Sequence, residues 1–420
     1  MLHHKNAVCA LRTVFLLFLL ACGSSLQAQG LEAVIRNALN DYPGVKAAAS
    51  GVTGAQAEID RSKGAYSPTL SLNASANKIQ DLSSAEQKPM ATPWLVWSVP
   101  INGRVAADVR RSESAARAAQ AKLQVTRDDV ALQVSEAWLS VVRGKQMVLL
   151  AQNNVAEHDG ILGDVRKMVA IDAGRALDLT QAQVRLDAAQ TNLMQRQAEL
   201  TQAQQRLTRF MSDKATNDVF VRYPTLPRPV PSTETQALAE LQSPALIQAQ
   251  AQLEEASARV QAAKRMHAPT LDMTLGRQFL GVVNGTHMVA SANFSLPIWQ
   301  GGQIDAGVRS AAAQALVAQD NLAETELVVK ERIRLAYADL ASAQDRLNLA
   351  TQQRETGAKL VHGFKEQFKM ARRTLLDLLN IHSEYAGYQQ AEALAQYDVQ
   401  IAQYRISSAI GQLARSFTAQ

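Results

Sequence analysis

The sequence predicts a mainly α-helical fold in which long helical hairpins, packed as coiled coils, each carry one β-hairpin. Three observations predict it. Apolar residues recur in heptads over spans of several tens of residues. Shorter stretches alternate strictly between apolar and polar side chains. The whole pattern then occurs a second time, at an offset that stays between 197 and 201 residues. Composition agrees: aromatic residues are only 5% of the 420, and Gly and Pro are sparse over long spans, which favours extended helices over a compact α/β core.

The chain begins with a short basic region (Lys5, Arg12), an apolar run at 14–21 and small residues up to Ala28. This pattern predicts a secretory signal over residues 1–28, cleaved after Ala28. The apolar run is too short to span a bilayer. Leu19-Leu20-Ala21-Cys22 also resembles a lipoprotein box, which would put a lipid on Cys22 instead. Cys9 and Cys22 are the two cysteines of the chain, so a product starting at Gln29 has no thiol for a disulfide or a metal. Losing Lys5 and Arg12 lowers the formal charge from +5 to +3, which gives no basis for nucleic-acid binding.

After the signal, residues 31–40 read as a short helix stopped by Asp41-Tyr42-Pro43, and 45–63 as a second. Residues 68–76 then alternate, with Leu70, Leu72 and Ala74 on one face and Thr69, Ser71 and Asn73 on the other. A polar loop at about 79–93 leads to a second strand at 94–100, which carries Trp94 and Trp97. From Gly103 a helical pattern continues to about 158, with a seam at Val130, Val134, Ala137, Val141, Gly144, Val148, Ala151 and Val155. After a turn near Ala173-Gly174, Leu179, Leu186, Leu193, Leu200 and Leu207 recur every seven residues, with Ala182, Ala189 and Ala203 three residues behind. Such pairing of small and large knobs indicates close helix packing.

The second copy repeats these marks. Pro43 and Pro68 are 25 residues apart, as are Pro244 and Pro269; Pro68-Thr69-Leu70 recurs as Pro269-Thr270-Leu271, and Ser98-Val99-Pro100-Ile101 as Ser295-Leu296-Pro297-Ile298. Gly103 matches Gly302, and Asp178-Leu179 matches Asp377-Leu378. The last helix keeps the seam (Leu378, Ile381, Tyr385, Tyr388, Ala395, Val399, Ala402), interrupted by Glu392. A period near 200 is not that of a solenoid. It predicts one unit used twice: residues 29–212 with a β-hairpin at about 68–100, and 233–420 with a β-hairpin at about 269–297. A linker at 213–232, marked by Pro224, Pro227, Pro229 and Pro231, joins them.

Four strands cannot close a barrel; about eight is the smallest useful number. Their edges need partners, and several chains together would supply them. Apolar strand faces would then meet lipid and polar faces line a lumen, with Trp94, Trp97 and Trp299 as interfacial aromatics at strand ends. Helices far longer than a membrane is thick place most of the body outside the bilayer.

At this point the chain resembles the TolC family of outer-membrane efflux and secretion proteins, over nearly all of 31–413. The resemblance rests on the duplication, on the Pro68 and Pro269 strand starts, on the Ser-x-Pro-Ile strand exits and on Arg373-Thr374-Leu375-Leu376-Asp377-Leu378-Leu379. It implies a homotrimer in the bacterial outer membrane, each protomer giving four strands to one twelve-stranded barrel. Its helices would form a tapering tunnel in the periplasm. It also implies a periplasmic adaptor (membrane fusion protein) and an inner-membrane ABC transporter or proton-driven pump as partners.

The resemblance assigns roles around the last helix–helix turn, where Lys369, Arg372 and Arg373 precede Asp377 and Asn380. An aromatic and an arginine that bond to an aspartate of the other turn, and so latch the tunnel mouth, match Phe368, Arg373 and Asp178. A phenylalanine has no hydroxyl to donate, so the latch here would rest on Arg373 with Asp178. The narrowest ring matches Asp377 and Asn380, three residues apart and so on one helix face. Because Asn380 is neutral, three chains would place three carboxylates there instead of six, with weaker block by multivalent cations.

The sequence has no phosphate-binding Gly-rich loop ahead of a Lys-Ser/Thr pair, no HExxH and no Cys/His cluster, so no catalysis and no cofactor are predicted. Two function classes stand. One is a passive export duct serving type I secretion or tripartite efflux. The short loops and the Ala173-Gly174-Arg175-Ala176-Leu177-Asp178-Leu179 turn point to the secretion branch. The other is a periplasmic coiled-coil adaptor without a pore, against which two amphipathic β-hairpins argue.

Overall fold

The computed structural model describes residues 30–75, 90–211, 226, 229–239, 241–279, 286–370 and 372–418. The signal with Cys22 and Ala28, most of the 213–232 segment and the tips of both β-hairpins lie outside them.

The same order of elements occurs twice. In the first half, helices α1 (Leu31–Asp41) and α2 (Pro43–Gly64) precede strands β1 (Thr69–Ser75) and β2 (Met90–Val99). Helix α3 (Arg104–Ile171), a 3-10 turn (Ala173–Arg175) and α4 (Ala176–Thr208) follow. In the second half, α5 (Glu234–Ala239) and α6 (Pro244–Lys264) precede β3 (Thr270–Phe279) and β4 (Thr286–Ser295). Then come α7 (Gln303–Lys369), α8 (Leu375–Ala409) and a short α9 (Leu413–Thr418). Both second helices open on proline, Pro43 and Pro244, whose missing N–H is one the first turn leaves unbonded anyway. Pro43 therefore starts α2 as well as ending α1. Helix α3 has 68 residues and reaches Ile171, beyond the 158 expected. Gly160 and Gly163 weaken the pattern there, but Ile161, Leu162 and Val165 are buried and hold the last turns down.

Contacts divide the chain into two compact units. One comprises residues 35–136 and 225–420, the other 137–224 with the start of the chain through Val34. The division follows contacts in space and cuts α3 between Glu136 and Ala137, so it does not coincide with the repeat boundaries expected at 212 and 233.

In the smaller unit the end of α3 packs on α4 along the expected seam. Ala182, Leu186, Ala189, Ala203 and Leu207 are buried on α4, and Val141, Ala151 and Leu162 on α3. Gly144 comes so close to Leu200 that a Cβ there would lie 3.3 Å from the Leu200 backbone.

In the larger unit β1-β2-β3-β4 form one antiparallel sheet in chain order. The two hairpins join through β2 and β3, with Trp94 opposite Gly276 and Ser98 opposite Asp272. The outer edges of β1 and β4 have no partner strand among the described residues. The faces separate as the alternation requires. Leu70, Leu72, Leu95, Trp97, Met273, Leu275 and Phe294 share one face, and Leu70 and Leu72 are 76% and 70% exposed. The other face carries Thr69, Ser71, Asn73, Thr92, Ser98, Asp272, Thr274, Ser291 and Asn293. Hydrogen bonds run across it from Ser98 to Asp272 (2.5 Å) and between Thr274 and Ser291 (2.5 Å).

Helices α7 and α8 form a long antiparallel pair. Ala336, Ala343, Ala350 and Gly357 recur every seven residues on α7 and are buried. A Cβ at Gly357 would lie 2.8 Å from Tyr388 Cδ2, so only glycine allows this approach. Beyond α8, Gly411 takes a φ of +77° and turns the chain into α9 beside Gln242. There Ala237, Val329, Ile333, Ala409 and Ile410 form a buried cluster.

Candidate functional site

The turn from α7 to α8 carries most of the predicted site residues. Thr374 adopts an extended conformation and caps α8. Its hydroxyl accepts from the Asp377 N–H (3.2 Å) and donates to Asp377 Oδ2 (2.8 Å), while the Thr374 N–H donates to the same oxygen (3.3 Å). This is a full capping box: two N–H groups that a helix start leaves unbonded are satisfied reciprocally. Asp377 is thus half-exposed and held on its own helix end, where a carboxylate also complements the dipole. The Thr-x-x-Asp spacing was a readable signal of this, missed when Asp377 was considered only with Asn380. Asn380 is exposed one turn further along.

Arg373 is held by its own segment. Its Nε donates to Gln367 Oε1 (3.0 Å), its guanidinium carbon lies 4.3 Å from the centre of the Phe364 ring, and Asp377 Oδ2 is 4.0 Å away. Arg373 therefore lies on the ring of Phe364, one helical turn before Phe368, which is half-buried near the end of α7. Sequence reasoning missed Phe364 and Gln367, because their contact depends on how the chain turns after Lys369.

Asp178 stands in the first turn of α4, in the other unit. The turn before it is built by Asp172, whose Oδ1 accepts from the Gly174 N–H at 3.0 Å.

The sheet supplies the second candidate surface. Of the aromatics expected at a membrane interface, Trp97 lies on the apolar face, where its indole N–H donates to Tyr66 O (3.0 Å). Trp299 is 84% exposed, just beyond β4. Trp94 departs from the expectation. It is three residues from Trp97, hence on the opposite, polar face, with its indole across Gly276 and its N–H directed to Thr92 Oγ1 (3.3 Å).

Among the described residues no three His, Cys, Asp or Glu side chains gather as a metal site, and no helix is long and apolar enough to cross a membrane.

Comparison with known proteins agrees with this arrangement. The profile of the family described as Outer membrane efflux protein matches residues 34–212 and 236–412. The outer membrane efflux protein BepC of Brucella suis is 24% identical over 320 residues, covering 73% of this chain and 68% of BepC. The outer membrane protein TolC of Escherichia coli is 24% identical over 204 residues, covering 44% of this chain and 41% of TolC. The crystal structure of the CmeC outer membrane channel of Campylobacter jejuni superimposes with a TM-score of 0.79 at 17% identity, over 91% of this chain and 85% of CmeC. The chain belongs to the outer membrane efflux protein family, as a TolC-like outer-membrane channel whose helices form a periplasmic tunnel.

Proposed function

We propose that three copies of this chain close one twelve-stranded barrel and one helical tunnel, the passive exit duct of a tripartite efflux or type I secretion system. The observation that carries this reading is the sheet: among the described residues it has four strands, two edges without a partner strand, one exposed apolar face and one polar face. Such a sheet needs partner strands at β1 and β4 and lipid against Leu70 and Leu72. The duct is not an enzyme in this reading, and its energy comes from partners: a periplasmic adaptor and an inner-membrane ABC transporter or proton-driven pump. The name of BepC supports the efflux branch. A heat-resistant trimer in outer-membrane extracts is expected. A soluble periplasmic protein would instead establish the coiled-coil adaptor.

Within that duct the α7–α8 turn forms the periplasmic constriction. Three Asp377 carboxylates around the threefold axis attract cations, with Asn380 as a neutral second ring. Arg373, with Asp178 as its counter-charge and Phe368 beside it, latches the mouth. Residues 29–212 and 233–420 act as two copies of one unit, joined by 213–232.

A further inference from the structure

Among the described residues, the polar face of the sheet carries one aromatic side chain, Trp94. Thr69, Ser71, Asn73, Thr92, Thr274, Ser291 and Asn293 make that face hydrophilic, and Asp272 is its one charged residue among those described. Trp94 sits in the middle, in a cross-strand row of Ser71, Trp94, Gly276 and Val289. An aromatic on a water-facing surface is the informative exception, whereas a lone exposed aliphatic is ordinary.

The glycine opposite explains how the indole is held. A Cβ added at Gly276 would lie 2.5 Å from Trp94 Cδ2 and 2.8 Å from Cζ3, closer than side-chain carbons approach. The ring therefore lies flat on bare backbone, and the Thr92 hydroxyl fixes its in-plane angle through Nε1. Covering a strand glycine is a structural role, and it accounts for one face of the indole. Trp94 as a whole is only half-buried, and Val96 and Val289 are its neighbours on that side of the sheet.

We propose that Trp94, laid against the wall by Gly276, is a stacking site inside the barrel for planar aromatic cargo, cationic cargo in particular. This rests on the reading that the polar face lines a lumen. An indole face attracts flat π-systems and cations, and Asp272, four residues along β3 from Gly276, favours positive charge on the same wall. In a trimer three such platforms share one level of the bore, a narrow apolar band in a polar channel. A solute would pause there without being held, which suits a conduit.

The test uses the full-length trimer in planar bilayers, with ethidium as the planar aromatic cation and tetraethylammonium as the non-planar one. Trp94→Leu should weaken ethidium block about tenfold and leave tetraethylammonium unchanged; Trp94→Phe should keep most of the block. Equal ethidium block in Trp94→Leu overturns the proposal. Gly276→Ala provides the second test, because its Cβ must push the indole off the wall and into the bore. Single-channel conductance should fall, and should recover in the Trp94→Ala/Gly276→Ala double variant. A Gly276→Ala channel with unchanged conductance and unchanged ethidium block overturns the proposal whether or not Trp94→Leu assembles. The lumen itself is tested separately. A membrane-impermeant thiol reagent should label Ser71→Cys and not Leu72→Cys. An unlabelled Ser71→Cys refutes the lumenal reading and this site with it; a labelled one with unaltered ethidium block refutes this site alone.

Discussion

Asp128 Oδ1 accepts a hydrogen bond from the backbone N–H of Ala414 at 2.8 Å, across 286 residues of sequence. The contact ties the start of α9 to the side of α3. It is made by a carboxylate only 5% exposed, whose second oxygen has no hydrogen-bond partner among the described residues.

That burial has a pH signature. Desolvation pushes the Asp128 carboxyl up from 3.8 to about 6, opposed by the Ala414 N–H and the positive charge of Arg415 and aided by the neighbouring Asp129. Because the folded pKa is raised, the folded chain binds more protons than the unfolded chain between about 4 and 6, and stability falls as pH rises through that window. The shift corresponds to on the order of 3 kcal/mol. Asp128→Asn keeps the acceptor for Ala414 and removes the charge. Thermal unfolding at pH 4, 5, 6 and 7.5 should show little difference at pH 4 and a more stable asparagine variant above 6. A difference independent of pH would contradict this account.

Thr374 and Asp377 offer a separable pair. Thr374→Ala removes the cap and should cost about 1 kcal/mol of α8 stability while leaving the carboxylate in place. Asp377→Ala removes the charge and the carboxylate half of the capping box, while the Thr374 hydroxyl still accepts from the backbone N–H of residue 377. Block by a multivalent cation should therefore persist in Thr374→Ala and be lost in Asp377→Ala. A channel in which Asp377→Ala leaves cation block unchanged excludes this residue from the constriction.

How much of this was legible in the sequence varies residue by residue. Alternation at 69–74 separated the faces of β1, because side chains in a strand have a period of two. The same parity placed Trp94 and Trp97 on opposite faces, yet their shared position near a strand end suggested one role for both. Gly276 beneath Trp94 was not legible, since the β2–β3 register joins residues some 180 apart. The Ala336, Ala343, Ala350 and Gly357 seam had a readable period, but small residues carry little hydrophobic signal. The Phe364–Arg373 contact had none, being set by the path of the turn.

Glu392 interrupts the α8 seam because it meets Arg354 of α7, with Nε and Oε2 2.8 Å apart and the glutamate side chain only 16% exposed. Removing Glu392 leaves Arg354 a third exposed and 3.5 Å from Glu355, whereas removing both partners leaves no charge in the seam. Glu392→Leu alone should lower stability by about 1 kcal/mol, because solvent and Glu355 partly compensate Arg354, and Arg354→Met/Glu392→Leu should recover most of it. Chemical denaturation of the single and double variants gives the coupling; additive losses would show that the pair does not act as a unit.

Arg373 stacked on Phe364 gives the most direct test of the latch. Phe364 and Gln367 hold the guanidinium in place, and a cation on an aromatic face is worth about 0.5–1 kcal/mol where water has access. Arg373→Lys keeps the charge but loses the planar group that stacks and the fork that bonds Gln367. If the mouth is held by charge alone, Arg373→Lys should conduct like the unsubstituted channel. If it is held by a positioned guanidinium, Arg373→Lys and Phe364→Leu should both raise the conductance of the resting channel, toward the level of Arg373→Ala. The geometry favours the second outcome, because each contact of Arg373 within its own segment uses the planar group. Resting conductance unaffected by Arg373→Ala would remove Arg373 from the latch altogether.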